Sequence, residues 1–258
     1  MIFCKWYIPE NLNLNLVKII ENMALAVNNH SRDVLVKIFN ANDQHKSKFE
    51  NLIEIFKPAD IWHLFGDHEP LIWKIVKMHS KTVHTPIKNL FALNNNLNNF
   101  ISPAFGSVNL HSGESDKAIY IDENLKFDEN INNNFPVINL SGQNNKNIPS
   151  EILSGIYITF DNSELTALRA GLLTMRGLCV ASVKSEYLNE ILGPDGYFMI
   201  EDEKDERDIT RIIRQGMGER GRNLAVSARH FIHTRRSDEK CAESVINLYR
   251  EIIGENKK

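Results

Sequence analysis

The amino-acid sequence predicts an α/β fold of two β/α domains facing a cleft, and three observations predict it. Strand-length apolar runs alternate with helix-period segments from the first residue onward. The stretch from Ile156 to Val183 reads strand, capped helix, strand without a break. An Asn-rich passage followed by Pro103 and Gly106 divides the chain into residues 1–102 and 103–258. Alternation of strand and helix produces parallel sheets covered on both faces, because each right-handed crossover lays a helix back on the sheet.

Each element has a local reason. Met1 to Tyr7 is strand-like and Pro9 ends it; Leu14, Val17, Ile20, Met23, Ala24 and Val27 then recur at helical spacing before a second strand, Val34 to Phe39. Phe49, Leu52, Ile53 and Phe56 mark a helix, Asp60 to Phe65 a third strand, Leu71 to Met78 a helix and Lys81 to Thr85 a fourth strand. The asparagines at 94–96, 98 and 99 suit a hinge, and those at 130–134 an exposed loop. In the second domain, strands are expected at Ala118 to Ile121, Val137 to Leu140, Ile156 to Phe160 and Leu178 to Val183. Between the last two, Asp161, Asn162 and Ser163 offer oxygens to the free N–H groups of a helix from Glu164 to Arg176, and Gly177 ends it. Helices follow at Glu206 to Arg214, around Leu224 to Ile232, and after Ser237, where Asp238 and Glu239 sit at the positive end of the last one.

Composition narrows the function classes. With 258 residues and 42% hydrophobic content, the chain can bury one large core or two modest ones. A formal charge of −3 lacks the concentrated basic face that nucleic acid requires, so no nucleic-acid partner is expected. Cys4, Cys179 and Cys241 are single and widely separated, which fits core thiols in a reducing cytoplasm better than disulfides or a zinc site. No apolar run approaches the roughly 20 residues that span a bilayer, so a cytoplasmic protein without a transmembrane segment is expected, with peripheral membrane contact left open. Gly216, Gly218 and Gly221 lack the preceding strand of a dinucleotide loop, and the arginines from Arg220 to Arg236 read as a solvated face.

The residues from Glu164 through Met175 and Gly177, the strand LCVAS, then Glu190-Ile-Leu-Gly and Gly196-Tyr-Phe-Met-Ile carry a resemblance. They resemble the donor-binding half of family-4-like GT-B glycosyltransferases, two facing Rossmann-like domains with the nucleotide sugar between them. The likeness covers most of the chain in outline and residues 163–200 in detail. It implies donor contacts from Glu164, Leu165 and Thr166, with a terminal helix packing back on the first domain. The family's second glutamate falls on Leu172 or Leu173, and its basic diphosphate stretch has no counterpart between Gly106 and Gly142. Lys184, in the loop after LCVAS, is the substitute cation expected beside Glu164.

Ligands of open α/β sheets bind outside the carboxyl ends of strands. His63, Asp67 and His68 lie at or after one such end and are expected on the acceptor side; His84 lies at the next, and the resemblance makes it the catalytic histidine near the donor sugar. The plainer reading of each histidine is a strand cap satisfied by backbone. Their spacing matches no metal motif, so neither metal nor cofactor is expected. The leading expectation is therefore a glycosyltransferase moving a sugar from a nucleotide sugar to a saccharide or lipid-linked acceptor, in surface polysaccharide assembly and retaining if it follows the family. The missing glutamate and basic stretch support an alternative, a noncatalytic binding or partner subunit of the same fold. An unrelated two-domain small-molecule-binding module is a third possibility, since fold does not fix function.

Overall fold

The computed structural model describes residues 1–10, 12–41, 53, 55–91, 93, 101–106, 117–122, 134–140 and 153–254. Most of the expected helix at 49–56, the asparagine hinge at 94–99, the asparagine loop at 130–133 and most of the stretch between Gly106 and Gly142 lie outside them. The chain divides into two compact units, Met1–Ala104 with Arg236–Lys258, and Phe105–Arg235.

The first unit is a four-stranded parallel sheet in the order β2-β1-β3-β4, built from β1 (Ile2–Ile8), β2 (Val34–Asn40), β3 (Ile61–Phe65) and β4 (Lys81–Thr85). Helix α1 (Leu14–His30) makes the first crossover, capped by the Asn13 side chain, which accepts from the Asn15 N–H. A strand covered on both faces is buried throughout, and β3 is buried at all five positions. The expected helix at Leu71 to Met78 shrinks to α2 (Trp73–Val76), because hydrogen bonds such as Lys74 N–H to Leu71 O span three residues and tighten the turns around it. The last helix, α7 (Asp238–Ile253), is part of this unit and packs on α1.

The second unit is a five-stranded parallel sheet in the order β6-β5-β7-β8-β9, from β5 (Lys117–Ile121), β6 (Val137–Asn139), β7 (Ser154–Thr159), β8 (Cys179–Ser182) and β9 (Phe198–Met199). Helix α3 (Glu164–Met175) joins β7 to β8, and α4 (Glu186–Leu192) joins β8 to β9 within the Gly-punctuated stretch. Helices α5 (Glu206–Gly216) and α6 (Glu219–Arg235) follow. Alternate residues Ile119/Ile121, Ile156/Ile158, Cys179/Ala181 and Phe198/Ile200 share a core with Ile209, Ile212 and Ile213 of α5. Gly216 and Gly221, which sequence alone left as a weak loop signal, are packing glycines. A Cβ at Gly216 would lie 2.5 Å from Ile156 Cδ1, and one at Gly221 would lie 1.9 Å from Gly216 O.

The chain winds outward in opposite directions on the two sides of β1 in the first sheet and of β5 in the second. The reversal points therefore fall between β1 and β3, and between β5 and β7. At such a point the loops leave the sheet in opposite directions and open a crevice at its carboxyl edge.

Gly155 tests the β5–β7 pairing. Its φ is +127°, and an added Cβ would sit 2.0 Å from Ala118 O on the neighbouring strand. Gly155→Ala is expected to destabilise the protein by about 2–4 kcal/mol, read as a lower urea midpoint at unchanged slope.

Candidate functional site

At the β5–β7 reversal point, Asp122 follows β5 and the segment 159–163 follows β7. Asp122 accepts hydrogen bonds from the Tyr157 hydroxyl and the Arg169 guanidinium, forming a largely buried triad that ties β5, β7 and α3 together. Burial, followed by the Asp122 charge, holds the Tyr157 phenol well above its ordinary range, so it stays protonated and donates.

Above this triad lies the start of α3. Ser163 Oγ accepts from the Thr166 N–H (3.3 Å) and donates to Asp161 Oδ2 (2.8 Å), while Thr166 Oγ1 also donates to Asp161 and the Asp161 N–H donates to Thr159 Oγ1 (3.2 Å). The cap therefore anchors Asp161 as well as the helix. Helix geometry leaves the N–H groups of Glu164 and Leu165 without an intrahelical acceptor. Glu164, in the first turn, takes a hydrogen bond from the Tyr187 hydroxyl of α4, and that contact raises the Tyr187 pKa. The side chain of Ser185 caps α4 by accepting from the Leu188 N–H. Two serine-capped helix starts thus meet through Glu164 and Tyr187. The expected donor residues Glu164, Leu165 and Thr166 are gathered here, with Thr166 buried and the other two half-buried.

Chemically, this group is rich in acceptors. Asp161 and Glu164 are carboxylates at a helix start, where the positive helix end stabilises them, and they suit hydroxyl donors such as those of a sugar or ribose. Arg169, the cation nearest on the same helix, is already engaged by Asp122. The triad of Asp122, Tyr157 and Arg169 was not legible in sequence: its members are 12 to 47 positions apart and carry no motif.

Lys184 does not join this group in the contacts the structure shows. It is exposed and lines a cavity beside β9, and Glu164 is not among the residues lining that cavity.

In the first unit, the expected residues separate into two environments. His84 donates from Nε2 to Gly66 O (2.6 Å), leaving Nδ1 3.6 Å from Glu69 Oε1. Asp67 Oδ1 accepts from the Ile87 N–H (3.0 Å) and fixes the loop after β4, while His68 is exposed. These three surround the carboxyl ends of β3 and β4. His63, expected on the acceptor side, is instead fully buried. Its Nδ1 pairs with Tyr249 Oη of α7 (2.6 Å), its Nε2 pairs with Thr85 Oγ1 (2.7 Å), and its ring stacks on Phe65. A side chain with both ring nitrogens engaged inside the core has none left for a ligand, so His63 fastens the last helix to the sheet. The apolar run from Asp60 to Phe65, which put His63 near a strand end, does not show which side chains of the strand are sealed in the core.

The three cysteines are buried thiols, and burial pushes Cys4 and Cys179 up to about 12. Among the described residues, no group of three His, Cys, Asp or Glu side chains could hold a metal ion, and no helix is long and apolar enough to cross a membrane.

Comparison with known protein families finds no match, nor does comparison with curated proteins. Among solved structures, the chain is similar to the crystal structure of a glycosyltransferase from Rickettsia africae ESF-5, with a TM-score of 0.55 at 12% identity over 99% of each chain. The fold is therefore glycosyltransferase-like, and the likeness runs over nearly the whole of both chains.

Burial, then the neighbouring His84, holds the His63 pKa well below its ordinary value of 6.5, so the folded protein keeps it neutral while the unfolded chain takes up a proton. A depressed histidine pKa means that stability is full above about 6.5 and falls as pH drops below it. The slope is up to about 1.4 kcal/mol per pH unit. Urea unfolding between pH 7 and 5 is expected to show that slope, and His63→Gln to flatten it whatever its own cost in stability.

Proposed function

We propose that the protein is a glycosyltransferase that binds a nucleotide sugar on its second unit, at the start of α3, and passes the sugar to a saccharide or lipid-linked acceptor. The observation that carries this reading is the acceptor-rich, serine-capped helix start at the sheet reversal point, in a fold similar to that of a protein titled a glycosyltransferase. In this reading, the Glu164 carboxylate accepts from sugar or ribose hydroxyls, and the N–H groups of Glu164 and Leu165 face a phosphate oxygen. Thr166 acts through Asp161, holding its carboxylate in place. The likeness to family-4 GT-B enzymes adds a retaining outcome, donor and acceptor meeting in a cleft, and a cytoplasmic role in surface polysaccharide assembly.

His84 is the proposed catalytic residue. With Nε2 committed to Gly66 O, only Nδ1 can address a substrate, as an acceptor when neutral or as a donor when protonated beside Glu69. Asp67 and His68, on the adjoining loop, are proposed to contact the acceptor. Lys184 is left out of the donor set because it lines a different cavity.

A second reading has its own observation. The departing nucleoside diphosphate needs cationic or N–H donors, and removing one such donor typically costs about 100-fold or more in rate. Here the guanidinium of the donor-side helix is spent on Asp122. That favours a noncatalytic subunit of the same fold that binds the sugar nucleotide without turning it over.

Calorimetry and turnover assays with a panel of nucleotide sugars separate the two. An enzyme is expected to bind at least one donor, to lose about tenfold or more of that affinity in Glu164→Ala, and to lose about 100-fold of its turnover in His84→Ala at nearly unchanged affinity. Binding that depends on Glu164 without turnover assigns the second reading, and no binding to any donor overturns both.

A further inference from the structure

The second unit carries a cavity of about 490 Å³ that the proposed donor site does not use. Phe198 and Met199 of β9 line it, and among the described residues β9 pairs only with β8. Three cationic side chains from three different segments line it: Lys184 from the loop after β8, Arg211 from α5 and Arg220 from the first turn of α6. The lining includes a single carboxylate, Asp195, and the amides of Asn189 and Gln215.

The state of these cations is informative. Arg211 is paired with Asp208 on its own helix. Arg220 makes no ion pair among the described residues. It donates to the neutral amide of Gln215 (3.0 Å), and its guanidinium lies over the Phe198 ring at 5.6 Å, which holds the planar group in place. Lys184 is exposed and likewise has no carboxylate partner among the described residues. Cations on surface helices commonly find acidic neighbours. Here two cations without an ion pair among the described residues, with amides as additional donors, line one concavity of the size that small-molecule sites occupy. The strand edge adds a donor: the Ile200 N–H points to Ser182 O on β8, so by strand alternation the Met199 N–H faces the open side.

From this arrangement we infer that the edge pocket of the second unit binds a phosphate-bearing small molecule. Arg220, over the Phe198 ring, supplies a planar fork to phosphate oxygens, and Lys184 supplies a point charge. Asn189 and Gln215 address the hydroxyl or carbonyl groups of the remainder. The inference does not rest on the proposed glycosyl transfer, because none of the residues 161–166 at the start of α3 lines this pocket.

The test uses the full chain and three probes: inorganic phosphate, glucose 1-phosphate and uridine diphosphate. Affinities are read by calorimetry at two salt concentrations. At least one probe is expected to bind, more weakly at high salt, with affinity reduced about tenfold or more in the Lys184→Gln/Arg220→Gln double variant. Binding is expected to be retained in Arg222→Gln, an exposed arginine of α6 outside the pocket. The probe that binds tightest separates free phosphate from a phosphorylated sugar or nucleotide. Should the loss of the Phe198 stack unfold the double variant, Lys184→Gln alone, at an exposed position, is expected to weaken binding about threefold. No binding of any probe overturns the inference, as does binding that is unchanged in the pocket variants.

Discussion

Parallel pairing is the constraint on which the rest of this structure depends. Every strand pair described is parallel, so each strand must be followed by a connection that returns to the opposite end of the sheet. Those returns lay helices back on the sheets, which is why β1 and β3 are almost wholly buried. They also send every strand out at the same edge. Asp122 and Asp161 in one unit, and Asp67 and the β4-end His84 in the other, are there because the pairing leaves them no other place.

At that edge the second unit resolves a conflict between charge and burial. Asp122 is nearly buried and would be costly alone. It is stabilised by one guanidinium and one phenol, and the same contacts lock α3 against β5 and β7. Thermodynamically, the arrangement uses up a cation that a diphosphate would otherwise attract. What remains exposed to a ligand at the helix start is mostly acceptor oxygen, with a pair of backbone N–H groups. Two cations of the unit without an ion pair among the described residues, Lys184 and Arg220, line the pocket beside β9, whose single lining carboxylate is Asp195. The two sites therefore have complementary chemistry: one offers acceptors, the other charge.

In the first unit the corresponding tension concerns a histidine. His63 lies fully inside an aromatic core of Trp6, Phe65 and Tyr249, an environment that excludes the imidazolium. It is tolerated because a neutral imidazole has one donor and one acceptor, and Tyr249 and Thr85 take both. The result couples the last helix to the third and fourth strands, so the chain's two ends belong to one folded body.

Read alone, the sequence determined what depends on near neighbours. The β4 boundaries, the Ser163 cap, the end of α3 at Gly177 and the placement of Glu164 in a first turn are set by residues within a few positions of one another. Hydrophobic period and capping chemistry are local, and so they could be read. Only the tertiary structure decided what depends on distant partners: that His63 is sealed by Tyr249, 186 positions away, that Arg169 is taken by Asp122, that Gly216 and Gly221 are there for close packing, and that Lys184 joins Arg211 and Arg220 rather than Glu164. Strand order fixes those meetings, and strand order follows from which apolar faces find each other in the folded core, not from any short stretch of chain.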